Sequence, residues 1–232
     1  MSMGTVLSEA LDLYRRFFGR FFLIALAVFA VVDLAAALAN EGISNGSGGT
    51  ALLALISIVL AVVGSFWVQG AVVFAVQDVR DGRVDTSLGE VFSHVRSRLG
   101  TLVLAGVLAG LGIALGLLLL IVPGLVLMTR WALIAPVVVL EQLPAGAAFS
   151  RSRQLVRGHG WSVFGIVIVV TVVSGVASVI LGAVFSFLPD FLSTWIGGAI
   201  ASAVVTPWLA ISLTVAYFRL RGGAGEGAAA PA

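Results

Sequence analysis

The 232-residue chain has no cysteine, and every one of its thirteen basic residues is arginine. Without thiols there is no disulfide framework and no thiolate metal site. The missing lysine leaves two readings open: codon bias in a GC-rich bacterial genome, or a preference for the planar, bidentate contacts of guanidinium with phosphate headgroups. Charge itself is scarce. Asp, Glu, Lys and Arg make up 10% of the residues, where a soluble domain has about 25%. A net charge of +2 is too small for a nucleic-acid binder. Hydrophobic residues are 60% of the chain, and no polar surface is left to cover a soluble core of that size. The membrane must serve as solvent for most of the protein.

The apolar residues fall into six runs, at 21–39, 51–76, 101–122, 124–140, 161–187 and 196–217. Most are long enough to cross a hydrocarbon core of about 30 Å. The expected fold is therefore all-α: six transmembrane helices arranged as three hairpins, in one membrane domain over residues 1–221. Residues 222–232, GGAGEGAAAPA, read as a disordered tail. The first run has a signal-peptide look, with Ala37-Leu38-Ala39 at its end. Its length, the interruption by Asp33 and the structured segment before it favour a retained span.

Three segments carry helical amphipathic periodicity. On 5–18, Val6, Leu7, Ala10, Leu11, Tyr14, Phe17 and Phe18 share one face. From Leu88, the corresponding face holds Val91, Phe92, Val95 and Leu99; on 144–157 it holds Ala148, Phe149, Ser152, Leu155 and Val156. Each precedes a pair of spans, and each suits a headgroup plane. The first two share a weak repeat, Leu7-Glu9-Leu11-Arg15-Gly19 against Leu88-Glu90-Phe92-Arg96-Gly100. With the N-terminus inside, every arginine except Arg130 falls on the inner side and none in an outer loop. This positive-inside bias predicts both termini cytoplasmic, in an inner membrane. Arg15, Arg16, Arg96, Arg98, Arg151, Arg153 and Arg157 are the candidates to face anionic headgroups.

Breaks are expected at Pro123-Gly124, where the chain reverses with no polar loop, and at Pro136, with a kink near Ala132. Pro207 interrupts the sixth span beside Thr206. Gly106, Gly110, Gly112 and Gly116 mark a close-packing surface on the third. Asp33 and Arg130 are the ionisable residues deepest in the spans. Asp33 lies six residues from the outer end of its span and Arg130 seven residues past Pro123, about 9 and 10 Å at 1.5 Å per residue. Similar depth suggests an intramembrane ion pair. Snorkelling of each to water or headgroups is the alternative.

No catalytic constellation is visible. His94 and His159 stand in separate basic segments, which gives no metal site, and no motif asks for a cofactor. Glu141 can cap the helix after it or pair with one of that helix's arginines. The partners expected are membrane lipids, anionic ones in particular, with a second copy or another membrane protein open and nucleic acid excluded.

The stretch from Pro123-Gly124 through Arg130-Trp131, Pro136, Glu141 and Ala147-Ala148 to Ser152-Arg153-Leu155-Val156 and Gly158 resembles the membrane domain attached to some bacterial glycerophosphoryl diester phosphodiesterases, and their free-standing relatives. The opening LSEALDLYRRFFGRFFLI is similar to that family's entry helix. The resemblance implies a membrane module and no activity, because in those enzymes the chemistry belongs to a separate soluble barrel. The leading expectation is an accessory or scaffold module. The alternatives are a small transporter built on the broken fourth helix and, less supported, a membrane-embedded lipid hydrolase.

Overall fold

A computed structural model describes residues 2–45, 50–80 and 86–228. All the regular structure in them is helical. In chain order the helices are α1 (Met3–Arg16), α2 (Phe18–Ser44), α3 (Thr50–Arg80), α4 (Leu88–Arg96), α5 (Leu99–Leu119), α6 (Ile121–Trp131), α7 (Ile134–Leu140), α8 (Ala145–Val156), α9 (Gly160–Phe185), α10 (Asp190–Leu192) and α11 (Gly198–Ala228). A π-helical turn, Ser193–Gly197, joins the last two. Among the described residues, six helical segments are long and apolar enough to cross a membrane, with α6 and α7 counting as one and α10 to α11 as another.

The helices outrun the apolar runs. α2 continues through the polar residues Asn40 to Ser44, and α3 through Gln77 to Arg80. Once a helix is nucleated each added residue is cheap, so the stretch 40–50 between the first two apolar runs is helical at both of its ends. Its residues 46–49 lie outside the described set. At the other end, α11 keeps a helical backbone through Ala228, and residues 229–232 lie outside the description.

Burial is uneven along the long helices. α3 buries Val68, Ala71, Val72, Val73, Ala75 and Val76, while Leu52, Leu55, Ile58 and Val59 nearer its start are exposed. The core sits where the short helices gather. α7 is buried from Ile134 to Val139, and α8 buries the four residues Ala148, Ser152, Leu155 and Val156. α4 buries Val91 and Val95, and α1 buries Val6 and Ala10. The apolar faces of all three amphipathic helices are thus turned, at least in part, onto the bundle. α4 opens with a reciprocal cap: Ser87 Oγ accepts from the Glu90 N–H, and the Glu90 carboxylate accepts from the Ser87 N–H. Those hydrogen bonds hold Glu90 below the usual carboxylate range.

The chain reversal after α5 is not at Pro123-Gly124. Leu120 makes it, with extended backbone at φ −158° and ψ 137°. Pro123 sits inside the first turn of α6, where a missing N–H leaves no helical bond unmade. Gly124 faces Gly116 across the turn: a Cβ on Gly116 would stand 2.9 Å from the Gly124 Cα, so the two backbones touch. Leu118, Leu119, Leu120, Ile121 and Val122, at the tip of this hairpin, are 69 to 82% exposed. Pro207 does not break α11, which runs uninterrupted from Gly198. Proline deprives the Ala203 carbonyl of its helical donor, and the Tyr14 hydroxyl donates to the next carbonyl, that of Val204, at 2.6 Å.

Three ionic contacts clamp α1, α2, α3 and α11 together. Arg20 pairs with Asp78 at 2.6 Å, both nearly buried. Glu9 accepts from Arg80 and from Arg219, joining α1 to α3 and α11.

Candidate functional site

The region with the most polar organisation is the break between α6 and α7 and the helix that returns over it. Pro136 has no N–H to give the Ala132 carbonyl, and its ring crowds that carbonyl. α6 accordingly ends at Trp131 and α7 opens at Ile134. Two other backbone groups at the break are taken up by one side chain. Ser152, fully buried on α8, donates its hydroxyl to the Arg130 carbonyl at 2.8 Å and accepts the Leu133 N–H at 3.2 Å. A buried backbone group left without a partner costs about 1–3 kcal/mol, so this serine is what lets the break sit inside the protein.

The loop from α7 to α8 is fixed next. Gln142 takes a left-handed backbone, φ 55°. Arg98 holds it there, donating to its carbonyl oxygen and, at 2.8 Å, to its side-chain Oε1. Glu141 pairs with Arg151, whose Nε lies 2.8 Å from Oε2, and accepts the Tyr217 hydroxyl at 2.9 Å. Arg221 in turn donates to that hydroxyl. A chain of four polar side chains therefore ties α8 to α11 through the end of α7.

Arg151 points to Glu141, while Arg153 and Arg157, four residues apart, look the other way. With Arg130 they line a cleft of about 930 Å³ between α6, the end of α8 and the start of α9. Val122, Leu125, Val126 and Phe164 supply its apolar wall, and Trp161, 88% exposed, stands at its edge. Gly158 makes the turn from α8 into α9 with φ 82°, a conformation that suits glycine. His159 then precedes α9 without a side-chain cap, and Gly160 borders the cleft.

Asp33 and Arg130 are not brought together: among the described residues no ion pair or hydrogen bond joins them. Asp33 lies on α2 against Gly198, where a Cβ would come 3.3 Å from its carboxyl carbon. Its Oδ2 is buried without a partner. Beside it the Trp195 indole N–H, in the π-helical turn, donates to the Ala30 carbonyl at 3.0 Å. Equal distance along two spans does not fix which way their faces turn, and the ion pair expected from depth fails on that point.

Of the other arginines expected at the headgroups, Arg15, Arg16 and Arg96 are exposed and have no ionic partner among the described residues. His94 stacks on Phe74 with ring centroids 4.2 Å apart. Ser152 and Tyr14 are legible in the sequence only as members of an apolar face, and Asp78 and Tyr217 carry no signal there. The readable signal for Ser152 was a lone hydroxyl on an otherwise apolar face opposite a proline break.

Among the described residues, six helical segments of this length and apolar composition mark a multi-pass helical membrane protein. Residues 99–220, from the start of α5 to near the end of α11, match the family described as "Domain of unknown function (DUF7847)". The chain belongs to that family. The whole cleft falls inside the matched region. No curated protein and no solved structure matches the chain.

Proposed function

We propose that the protein is a non-catalytic accessory or scaffold module of a bacterial inner membrane, associating with lipids, with a second copy or with a membrane partner. Both termini are cytoplasmic in this reading. The observation that carries it is the one-sided placement of arginine. α1, the first turn of α2 with Arg20, the segment from Arg80 to Arg98, α8 with Arg157 just after it and the Arg219–Arg221 end of the sixth span hold every arginine except Arg130, and the segments on the opposite side hold none. Three hairpins follow from that orientation: α2 with α3, α5 with α6 and α7, and α9 with α11. Each pair packs together, and α1, α4 and α8 precede them. The likeness to the membrane domain of glycerophosphoryl diester phosphodiesterases belongs with this reading. It supplies a membrane part and carries no hydrolase activity with it.

A small transporter is the second reading, and the α6–α7 break beside Arg130 favours it. Topology reporters fused after residue 46 and after Arg221 test the orientation. An external reading at the first and an internal one at the second are expected; the reverse overturns the orientation. Purification in native lipid, followed by mass spectrometry of what stays bound, tests the role. An enriched lipid or protein supports it, and isolation with nothing enriched rejects it.

A further inference from the structure

We infer that the cleft between α6, α8 and α9 is a binding site for one phospholipid with an anionic phosphate headgroup. The phosphate would sit among Arg130, Arg153 and Arg157, with an acyl chain along Val122, Leu125 and Val126. The inference rests on the membrane reading above and adds a location and a chemistry to it.

The first support is the charge inventory of the cleft. Three arginines line it and no acidic residue does. Elsewhere four arginines find acids, Arg20 with Asp78, Arg80 and Arg219 with Glu9, Arg151 with Glu141, while the exposed Arg15, Arg16 and Arg96 are spread over two other helices and do not converge on one cleft. The cleft arginines have no such partner among the described residues. Three guanidinium groups facing one space repel one another, and an anion between them removes that penalty. Guanidinium forks match phosphate oxygens two at a time.

The second support is how the arginines are held. Arg153 and Arg157 are four residues apart, which puts them on one face at the end of α8. Ser152, next to Arg153, holds the Arg130 carbonyl. That single hydroxyl sets the end of α6 against α8, and so sets Arg130 near the other two. The start of α9 borders the same space with no side chain capping it. The positive end of that helix adds to the attraction for an anion.

The third support is the wall. Leu125, Val126 and Phe164 give the same cleft an apolar wall beside its arginines. A free phosphate needs no such surface, and an acyl chain does. About 930 Å³ is room for a headgroup with part of a chain, within the usual size of small-ligand sites. Trp161 at the edge suits the interface, where indole rings gather.

The test uses the full chain, purified in a maltoside detergent, and quenching of its tryptophan fluorescence by lipids with brominated chains. Phosphatidylglycerol is expected to bind on the order of tenfold or more tighter than phosphatidylcholine. Arg153→Gln with Arg157→Gln, two exposed positions whose loss leaves the helix packing alone, should reduce that preference several-fold. Adding Arg130→Gln should remove it. Each arginine near an anionic surface contributes about 1 kcal/mol, or roughly fivefold. The triple change Arg15→Gln, Arg16→Gln and Arg96→Gln alters as many charges outside the cleft and should leave the preference intact. A fall as large in this control overturns the site, because the attraction is then general. Full competition by inorganic phosphate or glycerol 3-phosphate at millimolar concentration overturns it too, in favour of a soluble anion. Equal binding of both lipids by a chain whose reporters confirm six spans rejects the cleft and leaves the membrane reading standing.

Discussion

Tyr14 shows how much a single hydroxyl does in a chain this short of polar groups. It donates to the Val204 carbonyl beside the proline of α11, and its ring packs edge-on to Phe18 and Trp208. Burial pushes its phenol up to about 12. The protein has two tyrosines, Tyr14 and Tyr217, so a Tyr217→Phe variant leaves one phenol to follow. Its ultraviolet absorbance should titrate near 12, against about 10 for a free tyrosine. The sign for stability follows. A phenol whose folded value is raised contributes fully below about pH 10, and the contribution is lost as pH rises toward 12. Titration near 10 in the folded variant would mean that the hydroxyl is in water and the contact to Val204 is absent.

At the scale of the element, the α6–α7 break depends on a residue from a different helix. Proline explains why the helix stops, and Ser152 explains why stopping there is tolerable. Ser152→Ala should lower stability by about 1–3 kcal/mol, the cost of leaving a buried backbone group unpaired, measured by thermal unfolding in detergent. A change under about 0.5 kcal/mol would show that the break is hydrated. Threonine at the same position keeps the hydroxyl and should recover part of the loss. The amphipathic helices also look different once seen in place. Part of each face read by periodicity is buried, Val6 and Ala10 on α1, Val91 and Val95 on α4, Ala148 and Leu155 on α8, while Phe18 and Leu88 of the same faces are 40% and 37% exposed. Periodicity does not say what an apolar face is buried against. A headgroup plane and the flank of a bundle demand the same pattern, and here much of the face meets protein.

For the whole molecule, what was legible follows the range of the interaction that produces it. Six spans could be read because an apolar run is a local property, and the all-helical class followed. Contacts between distant segments could not. Glu9 with Arg219 joins the two ends of the chain, and Glu141 with Tyr217 joins α7 to α11; nothing in either neighbourhood names the other. The expected pair of Asp33 and Arg130 shows the same limit from the opposite side. Asp33 packs on the start of α11 and Arg130 lines the cleft. Asp33→Asn and Arg130→Gln should therefore act independently, adding to within about 0.5 kcal/mol in a double-mutant cycle. A coupling above about 1 kcal/mol would restore the pair.

The tip of the α5–α6 hairpin has a consequence of its own. Its five residues from Leu118 to Val122 are apolar and open to the surroundings, with no charge, amide or aromatic ring to hold them at an interface. α5 has 21 residues, about 31 Å at 1.5 Å per residue, close to the thickness of an ordinary hydrocarbon core. The hairpin therefore has no float of its own. In a thinner bilayer its tip meets water unless the hairpin tilts or the lipid around it stretches, so bilayer thickness bears on the cleft through α6, the one helix of this hairpin that lines it.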